Sequence, residues 1–166
     1  MYTKDQTAPN ERLLSVKAQS IPKDLKVRPQ WVVWKAVGTK PEKVPYSART
    51  GRRASSTDLM TWSTFPEALE AYERSNYDGL GFVFCSGDPY TGIDLDNCVD
   101  ENGEIAPWAL EIAHNLGGYT ELSATGSGLH IIVRGNAPNR RKGDIEVYSS
   151  KRFFTMTGHV VEVAGD

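Results

Sequence analysis

Hydrophobic positions in this chain fall into short extended runs, interrupted by two stretches with helical spacing. Trp31-Val32-Val33-Trp34 is the first apolar, β-branched and aromatic run, and Lys43-Val44-Pro45-Tyr46 is a second extended piece after Gly38. Residues 64–75 carry Ala68, Leu69, Ala71 and Tyr72 on one helical face, with Pro66 suited to the first turn. Residues 79–84 and 91–95 read as two strands joined by a Gly-Asp-Pro turn. A second helix is expected over residues 104–116, where Trp108, Ile112 and Leu116 recur every four residues and Gly117-Gly118 stops the pattern. Further strands are expected at 119–123, 129–134, 145–148 and 153–157, with an extension over 160–163.

Many short strands with two helices between them predict an α/β (α+β) domain with a mixed or antiparallel sheet and flanking helices. The first 25 residues are polar and are expected to form a flexible arm, leaving residues 26–166 as the folded domain. The 166 residues suffice for one compact core. No apolar run is long enough to span a bilayer and no apolar signal core opens the chain, so no membrane association and a cytoplasmic location are expected. The two cysteines, Cys85 and Cys98, form no CxxC pair and do not suggest a zinc site. A net charge of -2 does not mark a nucleic-acid binder, but Arg and Lys cluster at 49–53, at 134–142 and at 151–152. Gathered on one face, these would form a track for a nucleic-acid backbone, although such clusters are commonly just solvated loops.

The sharpest chemical signal is Gly92-Ile93-Asp94-Leu95-Asp96. On a strand, Asp94 and Asp96 project from one face while Ile93 and Leu95 face the core. Two adjacent carboxylates repel unless a cation lies between them, and Mg²⁺ or Mn²⁺ favours such oxygen donors. Taken alone, the pair is more commonly a solvated strand end. Ser123-Ala124-Thr125-Gly126-Ser127-Gly128-Leu129-His130 adds a Gly-rich turn whose backbone amides can cradle phosphate, with His130 at the entry of the next strand. It is not a Walker A loop, because no Gly-Lys-Ser/Thr follows. Glu146, between Ile145 and Val147, supplies a third carboxylate of the kind a two-metal site needs.

In this order, the Asp-x-Asp strand end, the Gly-rich loop ending in His130, and Glu146 followed by Arg152 resemble the archaeo-eukaryotic primase superfamily, most closely the primase–polymerase domains of phages and other mobile elements. Trp31-Val32-Val33-Trp34-Lys35, Lys43-Val44-Pro45-Tyr46, Ala54-Ser55-Ser56-Thr57-Asp58, Gly79-Leu80-Gly81-Phe82-Val83 and Arg152-Phe153-Phe154-Thr155-Met156-Thr157-Gly158 carry the likeness over residues 30–160.

The resemblance implies an RRM-like catalytic sheet packed with an N-terminal α/β unit. It implies template-dependent joining of NTPs or dNTPs to a nucleic-acid 3′ end on single-stranded or primed DNA. Asp94, Asp96 and Glu146 match the family's acids for two Mg²⁺ or Mn²⁺ ions; His130, Thr125, Ser127, Gly128 and Arg152 match its nucleotide-binding positions, with Lys43 a weaker match. Phe153 is the candidate for contact with the sugar. A helicase or a helical C-terminal domain often accompanies such a domain. Two departures stand out: Thr125 replaces an expected Ser, and the stretch 135–144 is short. A nucleic-acid-binding module without catalysis and a metal-dependent phosphodiesterase remain the rivals. A rolling-circle nuclease does not, because Ile131-Ile132 follow His130 where a His-x-His pair would be required.

Overall fold

A computed structural model describes residues 13–163. The expected mixture of helices and antiparallel strands is present, arranged as two sheets. The strands are β1 (Trp31–Val37), β2 (Glu42–Tyr46), β3 (Gly79–Phe84), β4 (Tyr90–Leu95), β5 (Tyr119–Leu122), β6 (Leu129–Arg134), β7 (Arg140–Lys142), β8 (Ile145–Tyr148) and β9 (Arg152–Met156). The helices are α1 (Lys23–Lys26), α2 (Phe65–Arg74) and α3 (Pro107–Leu116). One sheet runs β2-β1-β3-β9 and the other β5-β6-β4-β8-β7, with every pairing antiparallel.

β3 and β4 are therefore not a hairpin. The Gly-Asp-Pro turn carries the chain from one sheet to the other, and the buried Asp88 holds it there. Its carboxylate accepts from the amides of Cys85 and Tyr90 and from Gln30 Nε2 at 2.8–2.9 Å. The N-terminal unit is likewise not contiguous in sequence, since β9 completes it from the far end of the chain.

α2 begins on a capping box: Thr64 accepts from the Glu67 amide, and the Glu67 carboxylate accepts from the Thr64 amide. In α3 the expected apolar face is not the buried one. Ala109 and Ala113 are sealed against β4 and β6 with Ile93, Leu95, Leu129 and Ile131; of the expected face only Ile112 packs there, partly buried, while Trp108 and Leu116 stay exposed. Close approach to a sheet favours the small side chains over the large ones. Gly117 ends the helix in a left-handed conformation, φ 65°, as its position predicts.

Of the arm expected over residues 1–25, residues 1–12 lie outside the described part. Residues 14–25 pack on the domain. Leu14 and Lys17 donate to the carbonyls of Ala124 and Thr157, and Ile21 and Leu25 are core residues beside Trp31 and Phe65. The polar composition of this stretch conceals two well-placed apolar anchors. The expected strand over 160–163 is reduced to an isolated bridge between Glu121 and Val160. Among the described residues no helix is long and apolar enough to cross a membrane.

Candidate active site

The faces of the five-stranded sheet divide the labour. Ile93 and Leu95 of β4 point to α3, so Asp94 must point the other way, toward the four-stranded sheet. In register, Asp94 is paired with His130 of β6 on one side and with Glu146 of β8 on the other. Cross-strand partners on one face have Cβ atoms about 4.5–5.5 Å apart, so three distant sequence positions become neighbours. They line a cavity in the seam between the sheets, together with Lys43 of β2, Tyr148, and the β9 stretch from Arg152 to Thr155. Asp96 lies one residue beyond the end of β4, its amide donating to the Asp144 carbonyl at 2.8 Å. It sits in the field of Asp94 and Glu146.

His130 is buried and held on both edges. Its Nδ1 lies 2.9 Å from the Thr155 carbonyl, an acceptor, so Nδ1 carries the proton. Nε2 faces Asp94 Oδ1 at 3.5 Å, and the ring stacks on Phe154 at a centroid distance of 4.5 Å. Gly92 makes that stacking possible. A Cβ there would stand 2.5 Å from the Phe154 ring and 2.6 Å from Phe84.

Burial opposes charge on Asp94, but the His130 ring beside it, with Lys43 and Arg141, more than offsets that and holds the carboxyl below its ordinary value. Asp96 moves the opposite way, raised by burial and by the charges of Asp94 and Glu146. Burial alone would lower the His130 pKa; Asp94 and Glu121 instead push it up to about 9. The His130 value in the folded state thus lies above the ordinary value of about 6.5. The associated stability is complete below about pH 6.5 and is lost as pH rises through 9. Thermal unfolding of the wild type is accordingly expected at a lower temperature at pH 9.5 than at pH 6.5, with that difference reduced in His130→Asn.

Two buried side-chain polar atoms among the described residues lack a hydrogen-bond partner, Asp94 Oδ1 and Thr155 Oγ1. Both residues line this cavity. Buried orphan oxygens are costly and usually await a ligand, an ion or water. Glu146 is engaged at present: Arg141 Nε lies 3.1 Å from its Oε1, and Tyr148 Oη donates to its Oε2. Among the described residues no three His, Cys, Asp or Glu side chains already form a metal-ligand set. The donor chemistry nevertheless suits a hard cation. Three carboxylates share one end of the sheet, one has an orphan oxygen, and another is raised in pKa by its neighbours.

The Gly-rich loop is placed differently from His130. Thr125, Ser127 and Gly128 do not line the cavity. Two amides expected to face phosphate are spent inside the turn, Gly126 on the Ser123 carbonyl and Gly128 on Ser123 Oγ. The Thr125 and Ser127 hydroxyls, 2.7 Å apart, are bonded to each other at the surface. The loop instead abuts the acidic strand end: the Ser127 carbonyl accepts from the amides of Cys98 and Val99, and Gly128 lies against the backbone of Leu95 and Asp96. Phe153 lines the cavity and also packs with Val32, Trp62 and Val83.

Sequence reasoning missed Glu121, which is fully buried beside His130. Its period-2 relation to Tyr119 reads as an ordinary strand carboxylate, and only the register Glu121↔His130 reveals the contact. It also left Arg141 among surface charges, although register places it against Glu146.

No family model matches the chain. The chain is 39% identical, over 146 residues and 82% of its own length, to the DNA primase-polymerase of Nitratiruptor phage NrS-1, and spans about 20% of the length of that protein. The sequence likeness thus relates this domain to one stretch of a phage primase–polymerase.

Proposed function

We propose that this domain is a template-dependent nucleotidyltransferase of the archaeo-eukaryotic primase type, which joins dNTPs or NTPs to a nucleic-acid 3′ end during replication of a phage or related element. The observation that carries this reading is the convergence, in one cavity, of the orphan Asp94 carboxylate oxygen, Glu146 and the cations Lys43 and Arg152. Acids for a metal and cations for phosphates in a single seam suit a triphosphate. The relation to a DNA primase-polymerase favours synthesis over phosphodiester cleavage.

Asp94, Asp96 and Glu146 would hold Mg²⁺ or Mn²⁺, which when bound supplies Lewis-acid activation and charge neutralisation for phosphoryl transfer. Arg152 and Lys43 bind triphosphate oxygens, Arg152 with its planar fork and Lys43 as a mobile point charge. His130, fixed through Nδ1 and lining the cavity with Nε2 beside Asp94, stabilises negative charge there without having to reorganise. The loop at 125–128 buttresses Asp96. DNA template, nucleoside triphosphates and a helicase or helical C-terminal domain are the partners this reading implies.

For His130→Ala, nucleotide affinity is expected to fall about 10- to 100-fold while Mn²⁺ still binds; titration calorimetry with dATP measures both, and unchanged dATP affinity would remove the role given to His130. Chelation by EDTA is expected to stop primer extension, with full recovery on adding excess Mg²⁺ or Mn²⁺. Extension that persists in EDTA would contradict the carboxylate site.

A further inference from the structure

Glu121 is a fully buried carboxylate that the scheme above leaves without a role, and its surroundings are built in detail. Oε1 accepts from the Thr157 amide at 3.0 Å and lies 3.7 Å from His130 Nδ1. Oε2 accepts from the Gly158 amide at 2.8 Å and from Tyr119 Oη at 2.7 Å. A buried anion is retained at high cost unless its partners satisfy it, and here each oxygen has them. The two amides belong to the segment leaving β9, the strand that carries Arg152, Phe154 and Thr155 into the cavity. The carbonyl that accepts from His130 Nδ1 is that of Thr155, two residues before one of those amides. Glu121 therefore acts on His130 by two routes, as a charge 3.7 Å from Nδ1 within the same sheet and, across the seam between the sheets, through the strand whose Thr155 carbonyl accepts the Nδ1 proton.

We propose that Glu121 is a positioning residue: it fixes the orientation of the His130 ring, so that Nε2 is held beside Asp94 at the nucleotide cavity. The proposal rests on the nucleotide-binding role given to His130 above. A buried carboxylate behind a functional histidine sets its rotation, and loss of such a partner typically costs about 10–100-fold in the function served. Glu121 does not line the cavity and is not assigned contact with substrate.

A double-mutant cycle on dATP binding in Mg²⁺ tests this. Glu121→Gln is expected to weaken dATP binding about tenfold in the wild-type background and to have no further effect in His130→Ala. Tyr119→Phe, which removes one hydrogen bond to Glu121 but keeps the carboxylate, is the control for lost stability and is expected to retain affinity. Equal losses in both backgrounds, or equal losses in Glu121→Gln and Tyr119→Phe, would make Glu121 a structural staple and overturn the proposal. An NMR readout stands independently of nucleotide. The His130 Nδ1–H proton is expected as a slowly exchanging downfield resonance in the wild type, and to be lost to exchange in Glu121→Gln. Its persistence in that variant would also overturn the proposal. If the wild type binds no dATP at all, the nucleotidyltransferase reading fails, and the proton resonance alone decides whether Glu121 positions the ring.

Discussion

Asp94→Asn is expected to reduce primer extension about a thousandfold while leaving the protein folded. Asp94 Oδ1 has no close hydrogen bond within the chain and faces His130 Nε2 at 3.5 Å, so its loss removes an ion pair and leaves the backbone and core contacts in place. Asparagine keeps the shape but removes a charge that His130, Lys43 and Arg141 hold against burial, so a modest loss of stability is expected. His130 keeps its Thr155 carbonyl and its Glu121 partner, so the buried imidazole is not stranded. The function, in contrast, loses the central donor of the carboxylate group, the one in register with both His130 and Glu146. Circular dichroism should therefore stay close to wild type and thermal unfolding shift only slightly downward as extension disappears. Extension within about tenfold of wild type would mean that Asp94 is a buried strand residue with no chemical role.

The second large effect is expected from Gly128→Ala, and it acts on both stability and activity. A Cβ at position 128 would stand 2.5 Å from the Leu95 carbonyl oxygen and 3.5 Å from Asp96 Cα. The obstacle is backbone in a paired strand, so it cannot rotate away as a side chain would. Leu129 is paired with Leu95 one residue along, and the relief must come from parting β4 and β6 where Asp96 emerges. Overpacking of this kind costs about 1–3 kcal/mol. For a protein of this size that corresponds to a fall in Tm of roughly 2–12 °C. The displaced acidic strand end should lower extension further than the stability loss explains. A variant with wild-type Tm and activity would show that the close approach of the loop to Asp96 is not required.

Most β-strands and both longer helices were legible because each carries its own local signature: β-branched runs, Pro66 in the first turn of one helix, the glycines after Leu116 in the other; β7, made of Arg and Lys alone, carries none. That Asp94 projects opposite Ile93 and Leu95 was legible because period-2 alternation is a local rule. What could not be read was register. Nothing local states that Asp94 sits between His130 and Glu146, or that Arg141 rather than solvent faces Glu146. The crossing from one sheet to the other between β3 and β4 was hidden for a related reason. The Gly-Asp-Pro segment has the composition of a hairpin turn, and only the buried Asp88, bonded to Gln30 from β1's approach, turns it into a crossover. In the Gly-rich loop, glycine spacing does not reveal which amides are already bonded. Ser123 takes up two of them, through its carbonyl and its hydroxyl.

The central claim is that the seam between the sheets adds nucleotides to a 3′ end. A single-nucleotide incorporation assay on a labelled primer annealed to a DNA template, with Mg²⁺ or Mn²⁺ and the one complementary dNTP, tests it most directly. Growth of the primer by one residue with release of pyrophosphate, absent in Asp94→Asn, is the predicted result. A primer that is shortened, which would mark a phosphodiesterase, or one that is bound but left unchanged, which would mark a binding module, would contradict it.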